Sequence, residues 1–199
     1  MQRFFIILIL VVLVLGGCGY MTGKKNYNQM VVLQEQVESQ WGQVQNVYQR
    51  RADLIPNIVE TAKGYAEFEQ ETLAGVAEAR AKVGQITITK EVLEDPALMK
   101  KWGEAQNELG QTLSRLLSVS EQYPDLKANE NFQALITELE GSENRISVER
   151  KRYNDISRDY NTHIKQFPTN IFANFFGFDE VAYFEAAAGS EQAPKVSFD

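Results

Sequence analysis

The sequence predicts an all-α fold, an antiparallel bundle of long helices behind an N-terminal membrane segment. Three observations predict it. Apolar residues recur in steps of three, four and seven over long stretches, as in helices that pack on other helices. No stretch carries a strand pattern. The connections are short and punctuated by Pro, Gly and Asp, as between antiparallel neighbours in a bundle. Four helices are expected, the first two being either separate or one helix kinked at Pro56.

The elements follow in chain order. Met1-Gln2-Arg3 is a short positive start, and Phe4 to Leu15 is twelve consecutive apolar residues ending in Gly16-Gly17-Cys18. A charged start, a short apolar run and small residues at its end form the layout of an export signal. A membrane span needs about 20 apolar residues. Phe4 to Met21 reaches that length if the glycines, Cys18 and Tyr20 are counted, with Lys24-Lys25 on the far side. Those two lysines against Arg3 and the amino terminus orient a span only weakly. Residues 1–17 are therefore a cleaved signal peptide or an uncleaved signal-anchor, and both place the protein at a membrane. Residues 18–26 are small and polar and are expected to form a tether.

The bundle is expected over 27–168. Its first stripe is Met30, Val37, Trp41, Val44, Tyr48, Ile55, Ile58, Ala62 and Tyr65, widened by Val47, Leu54 and Val59. Pro56 interrupts it, because proline removes a helix hydrogen bond and crowds the preceding turn. The unbroken register favours a kink; the length of a continuous helix over 27–82, about 80 Å, favours a break, which is the expectation adopted. Residues 83–94, with Gly84 and β-branched Ile86 to Thr89, are expected to be a loop. Asp95-Pro96 has the form of an N-cap followed by proline in the first turn. The helix it opens runs to about Gln122 with Leu98, Trp102, Ala105, Leu109, Leu113, Leu116 and Leu117 inward, until Tyr123-Pro124-Asp125 ends it. The last long helix starts near Asn129 or Glu130. It turns Phe132, Leu135, Ile136, Leu139, Ile146, Tyr153, Ile156, Tyr160, Ile164 and Phe167 inward and stops at Pro168. Residues 169–185 form an aromatic-rich segment, and 186–199, small and polar, are expected to be a disordered tail.

Composition narrows the function. The chain of 199 residues has room for one ordinary domain and carries a net charge of -7. Removing residues 1–17 leaves 19 basic against 27 acidic residues, a charge of -8. An acidic domain has no electrostatic footprint for nucleic acid, so membrane attachment rests on the N-terminal segment. The one cysteine, Cys18, can form no intrachain disulfide, and its thiol is in the anchor rather than in a core. A carboxylate-bridged metal site in a bundle wants two Glu-x-x-His motifs; the single histidine, His163, has no glutamate three residues before it. No nucleophile elbow and no phosphate-binding glycine loop occur. Carboxylate pairs such as Glu69-Glu71 and Glu138-Glu140 do not share a helix face. No cofactor, metal or catalytic residue is implied.

Two resemblances add to this. Leu15-Gly16-Gly17-Cys18 resembles the lipobox of bacterial lipoproteins, in which the matching cysteine is lipidated and becomes the new N-terminus. Gly19 after it resembles lipoproteins sent to the outer membrane. The strings Arg50-Arg51-Ala52-Asp53-Leu54-Ile55-Pro56-Asn57, Val59 to Tyr65, Tyr123 to Asn129, Tyr153-Asn154, Tyr160-Asn161 and Phe167-Pro168 resemble the LemA family of bacterial membrane proteins over about residues 26–184. That resemblance implies a short N-terminal membrane segment and a helical-bundle domain, with no settled activity and no catalytic residues. Many members resemble signal-anchored proteins, so the Gly-Gly-Cys ending is a departure.

Two constellations remain. Arg51 falls on the apolar stripe between Tyr48 and Ile55, where a charge is costly unless paired. Asp53 and Asn57 are close in sequence, and Asn154 and Asn161, two turns apart, face one way. These five are expected to form a polar cluster that fixes helix register or, alternatively, receives a small anion. The aromatics Phe172, Phe175, Phe176 and Phe178, with Tyr183 and Phe184, are expected either to cap the bundle or to form an exposed patch for a membrane or a partner. The function expected is interaction or scaffolding in the bacterial envelope, with protein partners unidentified and homo-oligomerisation through the long helices open. The competing class is a small-anion sensor or enzyme built around Arg51.

Overall fold

The structure, a computed structural model, describes residues 2–65, 69–86 and 91–185. Seven helices lie among them: α1 (Gln2–Lys63), α2 (Gln70–Gly84), α3 (Glu91–Glu94), α4 (Pro96–Ser120), α5 (Pro124–Lys127), α6 (Glu130–Lys165) and α7 (Thr169–Phe176). The fold is all-α, as expected, and no strand occurs among the described residues. The expected disordered tail at 186–199 lies outside the described residues, as do Thr87 to Lys90 of the expected loop at 83–94. The end of that loop is a helical turn, α3, whose Val92 and Leu93 are buried.

The bundle is built on the pairing of α1 with α6. On α1 the buried positions are Met30, Val37, Trp41, Val44, Tyr48, Arg51, Leu54, Ile55, Ile58 and Ala62. Leu54 apart, their steps of seven, four and three keep one face on a neighbour as in a coiled coil. On α6 they are Phe132, Leu139, Ser142, Ile146, Tyr153, Ser157, Tyr160, Asn161 and Ile164. The small serines let the helices approach where larger side chains cannot. Phe167, expected inward, is 81% exposed, because α6 ends at Lys165. On α4 the buried face is Met99, Trp102, Gln106, Leu109, Leu113, Leu116 and Ser120, so Met99 and Gln106, rather than Leu98 and Ala105, hold the inward positions. Asp95 caps α4 as expected, its carboxylate accepting from the N–H groups of Ala97 at 2.8 Å and Leu98 at 3.3 Å. Asn129 caps α6, accepting from the Phe132 N–H at 2.9 Å.

The expected break before Pro56 does not occur. Helix α1 continues through it to Lys63, with Pro56 on the exposed face. The carbonyl that loses its donor to a proline at 56 is that of Ala52, four residues earlier. Arg80 of α2 supplies one instead, its Nε donating to the Ala52 oxygen at 3.2 Å. The second helix of the bundle thus repairs the first. Pro56→Ala should therefore raise the unfolding free energy by about 1–2 kcal/mol, read as a shift of the urea midpoint; a loss of stability would mean that α1 needs the proline's local geometry.

The expected tether at 18–26 is likewise helical, so α1 passes without interruption from an exposed apolar stretch into the bundle core. It is a helix long and apolar enough, by length and composition, to cross a membrane. Helix α1 leads away from that stretch and α6 returns towards it, bringing α7 back to α1 just past the apolar end. There Thr169 Oγ1 donates to Asn26 Oδ1 at 3.0 Å, and the Phe172 ring sits against Gly23, where a Cβ would lie 3.0 Å from it.

Candidate functional site

The five residues expected to form one polar cluster divide between two places, and two of them belong to neither. Arg51 is 2% exposed. Its Nη1 donates to Glu143 Oε2 at 2.8 Å, and its Nη2 to the Gln106 backbone oxygen at 3.2 Å and to Gln106 Oε1. The guanidinium also lies 5.2 Å from the centre of the Tyr48 ring. Asp53 and Asn57 are on the solvent side of α1, and Asp53 accepts from Gln49 Nε2 at 2.7 Å. Asp53 lies two residues from Arg51, which on a helix points it round to another face.

The arginine's partners come from facing helices, Gln106 of α4 and Glu143 of α6. Sequence reasoning missed both. Gln106 carried a legible signal: it is a polar residue at a four-then-three step between Trp102 and Leu109. Glu143 carried none, since it is an exposed glutamate among many.

Together these groups form a polar layer across the bundle. On one side lies a core of Met30, Val37, Trp41, Val44, Tyr48, Met99, Trp102, Ile146 and Tyr153 with the C-terminal segment. On the other lies a core of Leu54, Ile55, Ile58, Leu73, Val76, Leu109, Leu113, Leu126, Phe132 and Leu139. Arg51 also forms the floor of an open cleft of about 560 Å³ between α4 and α6, with Gln111, Ser114, Glu140 and Arg150 on its walls. Its Nε is buried and finds no acceptor among the described residues.

Asn154 and Asn161 do face one way, as their spacing predicts, but towards a different object. After α7 the chain turns at Gly177, whose φ of +75° suits glycine, and Phe178 N–H closes on the Ala173 carbonyl at 3.0 Å. Residues 178–185 then run extended along α6 as a strap. Asn161 Nδ2 donates to the Val181 oxygen and its Oδ1 accepts from the Val181 N–H, both at 2.9 Å. Asn154 makes the same pair of bonds with Phe184, also at 2.9 Å. Each asparagine imitates a neighbouring strand, satisfying both polar groups of one strap residue. Tyr153 and Tyr160 add bonds from their hydroxyls to the oxygens of Ala182 and Asp179, each at 2.9 Å. Arg150 closes the end, donating from Nη2 to the Glu185 oxygen at 3.0 Å and covering the Phe184 ring at 4.8 Å.

Phe184 enters an aromatic nest with ring centres 5.9 Å from Trp41, 5.6 Å from Trp102 and 5.3 Å from Tyr153. It is core, not surface. Phe172 and Phe178 are half-buried against the same core, whereas Phe175 is 80% and Phe176 46% exposed. The aromatic set therefore neither caps the bundle as a whole nor forms one patch.

The tyrosines that hold the strap titrate late. Burial pushes the Tyr153 hydroxyl up to about 12, with Tyr183 adding to it. Burial also pushes Tyr160 up to about 12, helped by the carboxylates of Asp179 and Glu94. A raised folded value means that their contribution is complete below about pH 10, the unfolded value, and is lost as pH rises towards about 12. Tyrosinate absorbance in a base titration should show a late fraction that appears together with unfolding or strap release. Titration of all eight tyrosines as one set near pH 10 would contradict this.

Cys18 is exposed on α1. Among the described residues no group of three or more His, Cys, Asp or Glu side chains is placed to hold a metal ion.

The sequence model of the LemA family matches residues 40–198. Protein LemA of Metamycoplasma hominis is 27% identical over 186 residues, covering 94% of this chain and 80% of that protein. Magnetosome protein MamQ 2 of Paramagnetospirillum magneticum is 26% identical over 175 residues, covering 80% of this chain and 64% of that protein. Magnetosome protein MamQ of Magnetospirillum gryphiswaldense is 26% identical over 180 residues, with 82% and 66% covered. The chain thus spans about two thirds or less of the length of the magnetosome relatives.

Proposed function

The chain belongs to the LemA family, and from that premise we propose that it is a membrane-associated assembly module of the cell envelope, a rigid bundle that positions protein partners at a fixed height above the bilayer. One observation carries this reading. Helix α1 is continuous from its exposed apolar stretch to Lys63, so the bundle is an extension of the anchor rather than a domain hung on a flexible linker. A helix of that kind transmits position and tilt, which a scaffold needs. The anchor is residues 4–21 as an uncleaved span, the case in which that continuity acts in full, or a lipid on Cys18 after removal of residues 1–17. The intact mass of the protein purified from membranes, beside a Cys18→Ala variant, separates the two. The scaffold reading is tested by native mass measurement of the full chain extracted in mild detergent. It requires a defined assembly, with itself or with other envelope proteins; a lone monomer under all gentle conditions would sink it.

The small-anion reading draws on Arg51 at the floor of its cleft, with Nε unpartnered. Against it, the charge already has Glu143, and two oxygens of Gln106 accept from Nη2. Setting register between the helices is the better-attested use of such a layer. A rise in melting temperature with phosphate or sulfate that disappears in Arg51→Met would reverse this preference.

A further inference from the structure

We propose that α7 and the turn before it form a foot that rests in the interfacial layer of the bilayer holding α1, so that the bundle touches the membrane at two points and stands at a set tilt. The inference rests on the reading that α1 is anchored at its apolar end.

The first support is the composition of α7. Thr-Asn-Ile-Phe-Ala-Asn-Phe-Phe carries no charge, and its five apolar residues include three phenylalanines and an isoleucine. Large apolar side chains on a short helix are normally covered, yet only one side of α7 meets protein. Phe172 lies against Gly23, Ala173 is in the core, and the Phe176 ring packs edge-on to Tyr27 at 4.9 Å. The other side is bare: Ile171 is 56% and Phe175 80% exposed, and Phe167 just before the helix is 81% exposed. Ile171 and Phe175 stand four residues apart, on one face of the helix.

Position says what covers that side. Helix α7 meets α1 at Gly23, Asn26 and Tyr27, two to six residues beyond Met21, where the apolar stretch ends. At 1.5 Å per residue this is about 3–9 Å along the helix. The headgroup layer on each side of the hydrocarbon is about 5–8 Å thick. The bare face is therefore at the level where aromatic and aliphatic side chains of interfacial helices lie. The anchor's own Tyr20 and Met21, just before these contacts in sequence, are exposed as well. An acidic bundle gains nothing from electrostatic docking on anionic lipid, so the contact is apolar, and the exposed Lys24 and Lys25 reach headgroup phosphates beside it.

The test uses the full chain in native membranes, with Cys18 untouched, and a benzoylphenylalanine photo-crosslinker at one of three sites. Position 21 reports the anchor, 175 the foot, and 130 the far end of the bundle, where α6 begins. A phospholipid adduct by intact mass at 21 and at 175, with none at 130, is expected. An adduct at 21 but not at 175 overturns the foot and leaves the anchor standing, and a protein adduct at 175 does so in favour of a protein partner. No lipid adduct at 21 overturns the anchor reading, and the foot with it.

Discussion

Replacing Trp102 with alanine is expected to lower the unfolding free energy by about 3–5 kcal/mol. The side chain is fully buried. Its ring centre lies 4.6 Å from Tyr48, 5.1 Å from Trp41 and 5.6 Å from Phe184. These rings join three elements, α1, α4 and the strap, so the cavity left behind opens between elements that cannot easily close on it. Pairs of this geometry also add to plain area burial. Trp102→Phe should cost far less. Its indole N–H is buried with no acceptor among the described residues, so phenylalanine gives up volume and no hydrogen bond. Urea denaturation followed by near-ultraviolet circular dichroism measures both. A loss below about 1 kcal/mol for the alanine variant would mean that the nest does not hold α4 on α1.

The second large effect separates two ways of removing Arg51. Arg51→Ala should cost about 2–4 kcal/mol, from the void and from Gln106 Oε1 left without a donor. Arg51→Met fills the space and should cost no more than about 1 kcal/mol, and Arg51→Met with Gln106→Leu should match or exceed the parent, since buried ionic layers seldom beat well-packed apolar ones. Glu143 is mostly exposed, so Glu143→Gln should cost less than about 1 kcal/mol. Equal losses for the methionine and alanine variants would show that the charge itself, and not the packing around it, holds the layer together.

Most of the bundle was legible because its signal is periodic. The buried positions of α1 from Met30 to Ala62 coincide with the stripe read from the sequence, and Asp95-Pro96 and Asn129 start α4 and α6 as their chemistry predicts. Two features misled. Pro56 has the local chemistry of a break, and what overrides it is Arg80, 28 residues beyond the Ala52 carbonyl it satisfies. Residues 18–26, with Gly19 and Gly23, have the composition of a linker but no proline, and helix runs through them.

The polar constellation was half legible. Arg51 was recognisable as a charge in a core position, and Asn154 and Asn161 as a pair sharing a face. Their partners were not. Gln106 and Glu143 lie on other helices, and the strap is a single extended segment held mainly by side chains, with one backbone bond across, from the Ala182 N–H to the Leu93 oxygen at 2.7 Å. It therefore has no ladder and no alternation to announce it. The aromatic residues were visible as a group, but only the three-dimensional return of α6 to the start of the bundle divides them into core and surface.

The strap has one further consequence. Its two asparagine clamps are seven residues apart on α6, about 10.5 Å of helix rise. The residues they grip, Val181 and Phe184, are three apart in extended chain, about 10 Å. The two intervals agree, and they work as a ruler. The asparagines touch only peptide groups, so the exposed Tyr183 between the grips is free to change. One residue inserted there would carry the far grip off by about 3.3 Å, enough to pull its 2.9 Å bonds apart. The strap thus tolerates change at Tyr183 but not a change in length.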